Sequence, residues 1–376
     1  MKGIGIADIW RSEGSFRLKA VKCVDHAAGW LLACSLPRRD GGDVNFPQGL
    51  LRVLIIRPGG MGDAVFLLPI IRELKRLGHT VDVLCERRNR HVFNSQEALC
   101  GKIFCYDIGP DFLAVFRQEY DVVVDTEQWH YLSAITAYFI KAHYRIGFAT
   151  RPARTKLFNR ALPYDHADYE LKSFVRLFES FGISAPLQLK GSYAVSAADM
   201  TWVRGIIKLP YIVLALGGSI ALRRFSKEQA VAICRGIMGK GYSVVLLGGT
   251  DVSGLAQAVI AGIQDQRVQD VTGKITLSQS AALIAEARQF IGHDSGLLHM
   301  AGALGVPSVA VFGPGNKDKW GPKGSQDVVI CQELPCSPCT WFGYTLLTCQ
   351  RKAMCIHGPD YRGCDEIVAA ICESVK

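Results

Sequence analysis

Apolar runs alternate with helical patterns along most of the chain. From residue 50, LRVLIIR predicts a strand, PGGMGD a glycine-rich turn, AVFLLPIIRELKRLG a helix with one apolar face, and HTVDVLCE the next strand. Continuous apolar runs of this length are typical of parallel strands that are buried on both faces. This succession is a βαβ unit, and similar alternation continues to about residue 185.

The same pattern restarts near residue 211. YIVLALGGS predicts a strand that runs into a second glycine turn, and helices and strands then alternate as far as PSVAVFGP. Two such segments predict an α/β protein with two Rossmann-like, doubly wound domains facing a cleft. We place these domains at residues 50–190 and 191–330, followed by a cysteine-rich tail and terminal helix at 331–376.

Residues 1–49 differ from the rest and predict an amino-terminal extension. Within 1–39, seven basic residues oppose three acidic ones, a net charge of +4, and Trp30, Leu31 and Leu32 stand between the basic ends. An apolar segment with basic flanks is typical of a helix that lies in a membrane interface. The alternatives are a helix packed on the protein's own surface or on a partner subunit. DGGDVNFPQG then predicts a linker.

The composition indicates an ordered globular protein. The 376 residues suffice for two domains, with 49% hydrophobic and 20% charged residues. The net charge of +9 suits anionic partners such as nucleotide diphosphates, phosphorylated glycolipids or acidic membranes, although many soluble proteins carry a similar charge. Thirteen cysteines, an odd number, argue against a complete disulfide framework. Without a signal-peptide pattern or a long uncharged apolar run, we expect a cytoplasmic location.

The first candidate site is the turn Gly59-Gly60-Met61-Gly62-Asp63. Its glycines let the backbone approach a ligand at the carboxyl end of the first strand. The spacing is neither the G-x-G-x-x-G of dinucleotide sites nor that of a P-loop. Asp63 is either a general base that accepts a hydroxyl proton or an aspartate that caps the following helix.

The second candidate is the turn Gly217-Gly218-Ser219, with Arg223 and Arg224 close behind. Backbone N–H groups and two guanidinium groups are suited to a diphosphate. The alternative is that both arginines are merely solvated.

The third candidate is His293-Asp294-Ser295-Gly296, which ends one strand and begins a helix that carries His299. The helix start would face an anion, and Asp294 could accept hydrogen bonds from sugar hydroxyls. The alternative is a capped strand-to-helix turn with His299 in the core.

Together these segments resemble glycosyltransferase family 9, the heptosyltransferase family. The matching strings are I-I-R-P-G-G-M-G-D-A-V-F-L-L-P, V-T-G-K-I-T-L-S-Q-S-A-A-L-I-A-E-A-R and G-H-D-S-G-L-L-H-M-A-G-A-L-G-V-P-S-V-A-V-F-G-P, with a later match from Trp320 to Pro322. The resemblance spans roughly residues 50–372. It implies a GT-B fold, an acceptor on the amino-terminal domain, a nucleotide sugar on the carboxy-terminal domain, and inverting transfer without a catalytic metal. The implied donor is ADP-heptose, and the implied acceptor is a glycolipid of the lipopolysaccharide core or lipid A type.

The resemblance also assigns roles to residues of this chain. Asp63 falls at the catalytic-base position, beside an acceptor-side loop of Gly60, Met61 and Gly62. The loop of Asp294, Ser295 and Gly296 falls at the donor site, with Gly217, Gly218, Ser219 and His299 around it. Arg223 stands where family members usually carry the lysine of K-x-W-P; here the string is R-R-F-S, which keeps a positive charge but lacks the tryptophan and proline.

The tail carries a further pattern, Cys336-x2-Cys339-x9-Cys349-x5-Cys355. Four thiolates with a C-x-x-C pair are typical of a structural metal site, with zinc or iron undecided. The alternatives are unpaired cysteines or a disulfide.

Several rival functions stay open at this point. They are a GT-B enzyme that uses another nucleotide sugar, a sugar-nucleotide epimerase, a protein heptosyltransferase, and a non-catalytic envelope-assembly module with a degenerate site. A nucleic-acid binder is disfavoured because no basic stripe with interleaved aromatic residues is present.

Overall fold

The computed structural model describes residues 6–11, 16–39, 45–96, 98–184, 187–207, 210–218, 223–341, 344–345, 349, 353–358 and 363–373. Two compact units make up the chain. The first comprises Met1–Gln188 with Trp341–Thr348, and the second comprises Leu189–Thr340 with Cys349–Lys376. The main division between them falls between Gln188 and Leu189.

The first unit alternates helices and parallel strands after an amino-terminal helical segment. In chain order its elements are α1 (Ile6–Arg11), α2 (Phe16–Val24), a π-helix (Asp25–Gly29), α3 (Trp30–Ser35), β1 (Arg52–Arg57), α4 (Met61–Arg76), β2 (Thr80–Cys85), α5 (Arg87–Asn94), β3 (Ile103–Cys105), α6 (Gly109–Val115), β4 (Glu119–Asp125), α7 (Tyr131–Phe139), β5 (Lys141–Phe148), α8 (Pro152–Thr155), β6 (Arg160–Leu162) and α9 (Glu170–Leu177).

The second unit repeats this plan. Its elements are α10 (Ala197–Ile206), β7 (Tyr211–Ala215), α11 (Lys227–Gly239), β8 (Ser243–Leu247), α12 (Ser253–Ile263), β9 (Val268–Asp270), α13 (Leu277–Ala285), β10 (Gln289–His293), α14 (Gly296–Leu304), β11 (Ser308–Phe312), α15 (Lys317–Trp320) and β12 (Val328–Cys331). The short strands β13 (Thr340–Trp341) and β14 (Tyr344–Thr345) follow, and then α16 (Met354–His357) and α17 (Gly363–Glu373).

Both units contain a six-stranded parallel sheet of the same topology. The strand order is β3-β2-β1-β4-β5-β6 in the first and β9-β8-β7-β10-β11-β12 in the second. Both are the 3-2-1-4-5-6 order of the Rossmann fold, as predicted. In such sheets ligands bind at the carboxyl edge where the strand order reverses, which is between β1 and β4 in one unit and between β7 and β10 in the other.

The buried strands explain why the apolar runs are continuous. All five residues of β7 and of β10 are buried, as are five of six in β1, because helices cover both faces of each sheet. The sequence did not reveal the short strands β6, β9 and β12, which lie at sheet edges. Runs of three or four residues are too short to show a strand period.

Two element boundaries differ from the sequence-based prediction. The pattern of FLAVFRQEY favours a helix, but α6 ends at Val115 and Glu119 already belongs to strand β4, where it pairs with Lys141 of β5. The predicted tail begins at residue 331, yet Cys331 is the last residue of edge strand β12. Helix α17 packs on α11 and buries Ile367 in the core of the second unit.

The amino-terminal segment packs on the first unit. Ala33 is fully buried in the apolar cluster that includes Tyr131 and Ala134 of α7, and Ile9 packs with Trp129. This corresponds to the alternative in which the helix packs on the protein's own surface. In the described part of the chain, no helix is long and apolar enough to cross a membrane.

A buried ion pair offers a test of the core of the first unit. Arg154 Nη2 lies 2.5 Å from Asp125 Oδ2, and both side chains are fully buried. Removing one partner leaves an uncompensated charge, which typically costs about 3–5 kcal/mol. We expect Arg154→Leu to lower the free energy of unfolding by about that amount in urea titrations. Adding Asp125→Asn should recover part of the loss, and a double variant no more stable than the single one would contradict this account.

Candidate active site

Asp63 lies at the carboxyl edge of the first sheet, in the first turn of α4. That helix begins at Met61, and Gly60 occupies its N-cap position without a side-chain hydrogen bond. Asp63 therefore does not act as the capping residue, which was the alternative interpretation. Its carboxylate instead lies 3.1 Å from the guanidinium of Arg57, the last residue of β1, and 26% of its side chain stays exposed. Such a carboxylate is both fixed and accessible.

Arg57 joins the ends of β1 and β4. Its Nε donates to Pro58 O at 2.7 Å, and its Nη1 donates to Thr126 O at 2.9 Å. Its Nη2 contacts the Asp63 carboxylate at 3.1 Å and that of Glu127 at 3.5 Å. Burial opposes the charged form, but these two carboxylates outweigh it and raise the pKa of Arg57.

Gly59 of the glycine turn lies against the guanidinium of Arg57. Gly59 has φ = 111°, a conformation that side chains other than glycine rarely adopt, and a Cβ there would lie 3.0 Å from Arg57 Nη2. Beside it, a Cβ at Gly60 would meet nothing within 4 Å, so the turn is open on that side.

Glu127 is a second carboxylate at this edge, following β4. It accepts hydrogen bonds from the backbone N–H of Trp129 at 3.0 Å and of His130 at 3.4 Å. Burial alone would raise its pKa, but the charges of His130, Arg57 and Arg154 outweigh burial and lower it to about 2. Glu127 is therefore ionised.

A third carboxylate lies nearby. Glu170 accepts hydrogen bonds from Gln128 Nε2 at 2.7 Å and from Tyr164 Oη at 2.9 Å. Burial, then the charges of Glu170 and Asp63, hold the pKa of Tyr164 well above its ordinary value, so the phenol is neutral. This edge is thus rich in hydrogen-bond acceptors, which suits a ligand with hydroxyl groups.

The amino-terminal segment reaches the same edge. Asp25 accepts from the backbone N–H of Tyr131 at 3.1 Å and of Leu132 at 2.6 Å, so it caps the start of α7. Burial, and then the charge of Arg88, lower the pKa of Lys22 to about 8 against the opposing effect of Glu127. The extension therefore places a lysine in the electrostatic neighbourhood of Glu127.

In the second unit, Arg223 and Asp294 form an ion pair at the equivalent edge. Arg223 Nη1 lies 2.6 Å from Asp294 Oδ2, and its Nη2 donates to Thr340 Oγ1 at 3.2 Å. Sequence reasoning expected Arg223 to contact a diphosphate, and the structure shows its charge already compensated by Asp294. Arg224 pairs at 2.5 Å with Asp251, which is half exposed.

Asp294 is tightly surrounded. His299 Nε2 lies 3.7 Å from its other carboxylate oxygen, and a Cβ on Gly315 would come within 2.3 Å of Oδ2. Burial opposes ionisation, yet Arg223 and His299 hold the pKa of Asp294 below its ordinary value. An ionised, buried carboxylate with fixed neighbours is suited to accept hydrogen bonds.

The start of α14 adds donors at this position. Ser295 is its N-cap residue but makes no side-chain capping bond. Its hydroxyl is buried without a hydrogen-bond partner among the residues that the structure describes. Neither Asp294 nor Ser295 therefore caps this turn in the expected way, and the helix start is suited to a ligand anion.

The second glycine turn lies beside this site. A Cβ on Gly218 would lie 3.5 Å from Ser295 Cβ, and one on Gly217 would lie 2.6 Å from Val252 Cγ1. Ser219, the third predicted residue of the turn, lies outside the described residues. Next to the turn, His293 is buried against Phe225, and burial above all lowers its pKa to about 3, so that its imidazole is neutral.

The four tail cysteines share one neighbourhood in the second unit. Burial, then the charges of Cys339, Cys349 and Cys336, raise the pKa of Cys355 to about 11. Cys349 Sγ accepts from Ala353 N at 3.3 Å. All twelve cysteines with described side chains are unpaired. As the atoms lie, no group of three or more His, Cys, Asp or Glu side chains within the described ranges has the spacing to hold a metal ion.

Sequence reasoning did not find Arg57, Glu127, Glu170 or Asp25. A signal for two of them was present, because Arg57 ends the first strand and Glu127 closely follows the buried run VVVD. In a 3-2-1-4-5-6 sheet these two strand ends are neighbours.

Two Rossmann-like units, each with a polar site at its switch point, have the architecture of the GT-B glycosyltransferases. The family model for glycosyltransferase family 9 (heptosyltransferase) matches residues 113–345. The chain therefore belongs to glycosyltransferase family 9.

Individual relatives agree with this assignment. Lipopolysaccharide heptosyltransferase 1 of Pseudomonas aeruginosa is 25% identical over 311 residues, covering 77% of this chain and 86% of that protein. The structure of Escherichia coli ADP-heptose lipopolysaccharide heptosyltransferase II has a TM-score of 0.68 at 20% identity, covering 86% of this chain and 100% of that one. The iron-containing dodecameric glycosyltransferase TibC of enterotoxigenic Escherichia coli has a TM-score of 0.53 at 15% identity, covering 90% and 78%.

The low pKa of Glu127 predicts a dependence of stability on acid pH. Its folded pKa of about 2 lies below the ordinary 4.5, so folding favours the ionised form. The resulting stabilisation is fully present above about pH 5 and is lost as the pH falls towards 2. We expect the free energy of unfolding to decline over this window, and less steeply in Glu127→Gln, whose amide does not titrate. The free energy of unfolding would be measured by denaturant titration at each pH. An identical dependence of this free energy on pH in the two proteins would contradict the assignment.

Proposed function

We propose that this enzyme transfers a heptose from ADP-heptose to a lipopolysaccharide-core acceptor, with inversion at the anomeric carbon. The relative from Pseudomonas aeruginosa is a lipopolysaccharide heptosyltransferase, and the Escherichia coli neighbour is named for ADP-heptose. The acidic first-unit site suits an acceptor with hydroxyl groups, and the helix start in the second unit suits a diphosphate. The proposed place of action is the cytoplasmic side of the membrane that holds the acceptor.

The observation that carries the proposal is the geometry of Asp63. A general base must be accessible to the proton that it removes and fixed in position. The buried Arg57 holds the Asp63 carboxylate at 3.1 Å and leaves a quarter of the side chain exposed. Glu127, by contrast, is 8% exposed and is engaged by backbone N–H groups. Among the carboxylates that contact Arg57, Asp63 is therefore the better candidate for the base.

In the second unit, three groups would hold the donor. Asp294 accepts hydrogen bonds from sugar hydroxyls, and the first turn of α14 with the Ser295 hydroxyl binds the diphosphate. Gly217 and Gly218 let the backbone approach the nucleotide. Arg223, positioned by Asp294, stabilises the charge that grows on the leaving group.

The proposed reaction then has one displacement step. An acceptor hydroxyl oxygen attacks the anomeric carbon from the face opposite the diphosphate, and Asp63 takes the hydroxyl proton. The bond between the anomeric carbon and the diphosphate oxygen breaks with its electron pair, and ADP leaves. Attack from the opposite face inverts the configuration.

An acceptor-dependent assay of nucleotide release tests this reaction. ADP-heptose, UDP-sugars and GDP-sugars would each be supplied with a truncated lipopolysaccharide acceptor. We expect ADP release that requires the acceptor and falls by about 10²- to 10⁴-fold in Asp63→Asn. The control is Glu73→Gln, which removes a partly buried carboxylate paired with Arg76 at the far end of the same helix and should leave the rate unchanged.

The other outcomes separate the rivals. Release from a UDP-sugar would keep Asp63 as the base but reject the donor. Nucleotide release that occurs with a polypeptide acceptor but not with the lipopolysaccharide acceptor would favour a protein heptosyltransferase. A folded protein that consumes none of the donors would favour a non-catalytic module, and full activity in Asp63→Asn would reject the proposed base.

We further propose that Cys336, Cys339, Cys349 and Cys355 hold a structural zinc or iron ion. The support is their convergence in one part of the second unit and the chemistry of four thiolates, which suits either metal. The resemblance in fold to iron-containing TibC is consistent with this. Bound there, the metal would join the segment after β12 to α16 and would take no part in transfer.

Metal analysis of the purified protein tests the cysteine site. We expect about one equivalent of zinc or iron per chain, lost in Cys339→Ser. The control is Cys234→Ser, a cysteine of α11 that is buried in the apolar core of the second unit. Metal-free wild-type protein with normal stability, or metal retained in Cys339→Ser, would reject the site.

A further inference from the structure

The helical segment from α2 to α3 turns its apolar side chains away from the protein. Six large apolar residues of this segment are 44–75% exposed. They are Phe16, Val21, Val24, Trp30, Leu31 and Leu32. We call Val21, Val24, Trp30, Leu31 and Leu32 the outward face. A surface helix of a globular protein normally buries such residues.

The opposite side of the segment explains this reversal. Asp25 caps α7, and a Cβ on Gly29 would lie 3.0 Å from Tyr131 Cβ, so the backbones approach closely. Ala33 is fully buried, and Cys23 packs against Ile9 and Trp129. Small and polar residues therefore make the contact with the rest of the first unit, and the large apolar residues stay exposed on the opposite side.

Neighbouring elements extend the outward face. Helix α7 contacts both α3 and the π-helix, and it exposes Leu132 by 49% and Phe139 by 53%. These residues are seven positions apart, so they lie on one side of α7. Several elements of the first unit thus contribute to one apolar surface, which is more than the isolated exposed apolar residues that are normal.

The charge around this surface is basic. Residues 16–39 contain five lysines and arginines and a single acid, Asp25. Asp25 is turned inward with 9% of its side chain exposed, and of the five bases Lys22 also lies inward, near Glu127. Lys156 Nζ contacts Cys34 O and Leu36 O at 2.7 Å, which places a further cation at the end of α3. Arg38 follows that end and is exposed. Cations at the rim of an apolar face are complementary to anionic lipid headgroups.

We propose that the outward face binds the surface of an acidic lipid bilayer. Its apolar side chains lie at the boundary between headgroups and acyl chains, and Arg38 and its neighbours lie over the anionic headgroups. Asp25 of the same segment contacts the start of α7 on the side away from the outward face, so the segment lies between the bound membrane and the first unit. This binding needs no transfer chemistry and stands independently of the proposed reaction.

Sedimentation of the full chain with lipid vesicles tests the surface. The probes are phosphatidylcholine vesicles with and without phosphatidylglycerol. We expect wild-type protein to bind the vesicles that contain phosphatidylglycerol, and Leu31→Ser/Leu32→Ser to lower its partition coefficient at least about tenfold. Arg38→Gln should weaken binding about fivefold on these acidic vesicles and leave neutral vesicles unaffected.

The control is Ile206→Ser on α10. Ile206 is 46% exposed, and α10 belongs to the second unit whereas the outward face belongs to the first, so vesicle binding should be unchanged. Thermal unfolding and nucleotide release with a water-soluble acceptor fragment would show that all variants are folded. No vesicle binding by wild type, or equal binding by Leu31→Ser/Leu32→Ser, would overturn the proposal. A dimer in light scattering that the double variant abolishes, without vesicle binding, would assign the face to a second copy instead.

Discussion

The buried guanidinium of Arg57 is the contact on which the first-unit site depends. Moving a cation out of water costs several kcal/mol, so a position of 3% exposure is tolerable only where acceptors surround it. Two carbonyl oxygens and the carboxylates of Asp63 and Glu127 supply them. In return the guanidinium fixes the loops after β1 and β4 relative to each other. Gly59 is suited to this turn for two separate reasons, since its φ of 111° favours glycine and a Cβ there would lie 3.0 Å from the guanidinium.

The second unit also has an arginine–aspartate ion pair at the carboxyl edge of its sheet, with the exposure reversed, although its aspartate follows β10, the counterpart of β4, and not β7, the counterpart of β1. Asp63 is 26% exposed and Arg57 is 3% exposed, whereas Arg223 is 13% exposed and Asp294 is 7% exposed. The first unit therefore buries its cation and presents a carboxylate, which is suited to accept a proton. The second buries its carboxylate more deeply than its cation and leaves the guanidinium nearer the surface, where it can act on a diphosphate. One topology thus supports two complementary electrostatic environments.

The sequence pattern predicted the elements that depend on local periodicity. The long buried strands, the two glycine turns and the helix that begins at Gly296 all follow from runs of residues that are near in sequence. The partners of the site residues did not follow, because they come from distant strands: Arg57 meets Glu127 across 70 positions, and Arg223 meets Asp294 across 71. The apolar helix near Trp30 was also predictable. The sequence did not predict which face of this helix is buried, because that depends on the hydrogen bonds between Asp25 and the start of α7.

The position of Asp25 links the surface of the first unit to its site. The carboxylate caps α7 and also contacts His130 Nδ1 at 3.1 Å. The backbone N–H of His130 in turn donates to Glu127, which contacts Arg57. Through this chain of contacts the amino-terminal segment, the loop after β4 and the glycine turn before Asp63 stabilise one another. Because helix-capping and charged hydrogen bonds are each worth about 1–3 kcal/mol, undocking the segment would loosen the support of Asp63 without touching it directly. If the segment binds a bilayer as proposed, that binding would also order the first-unit site.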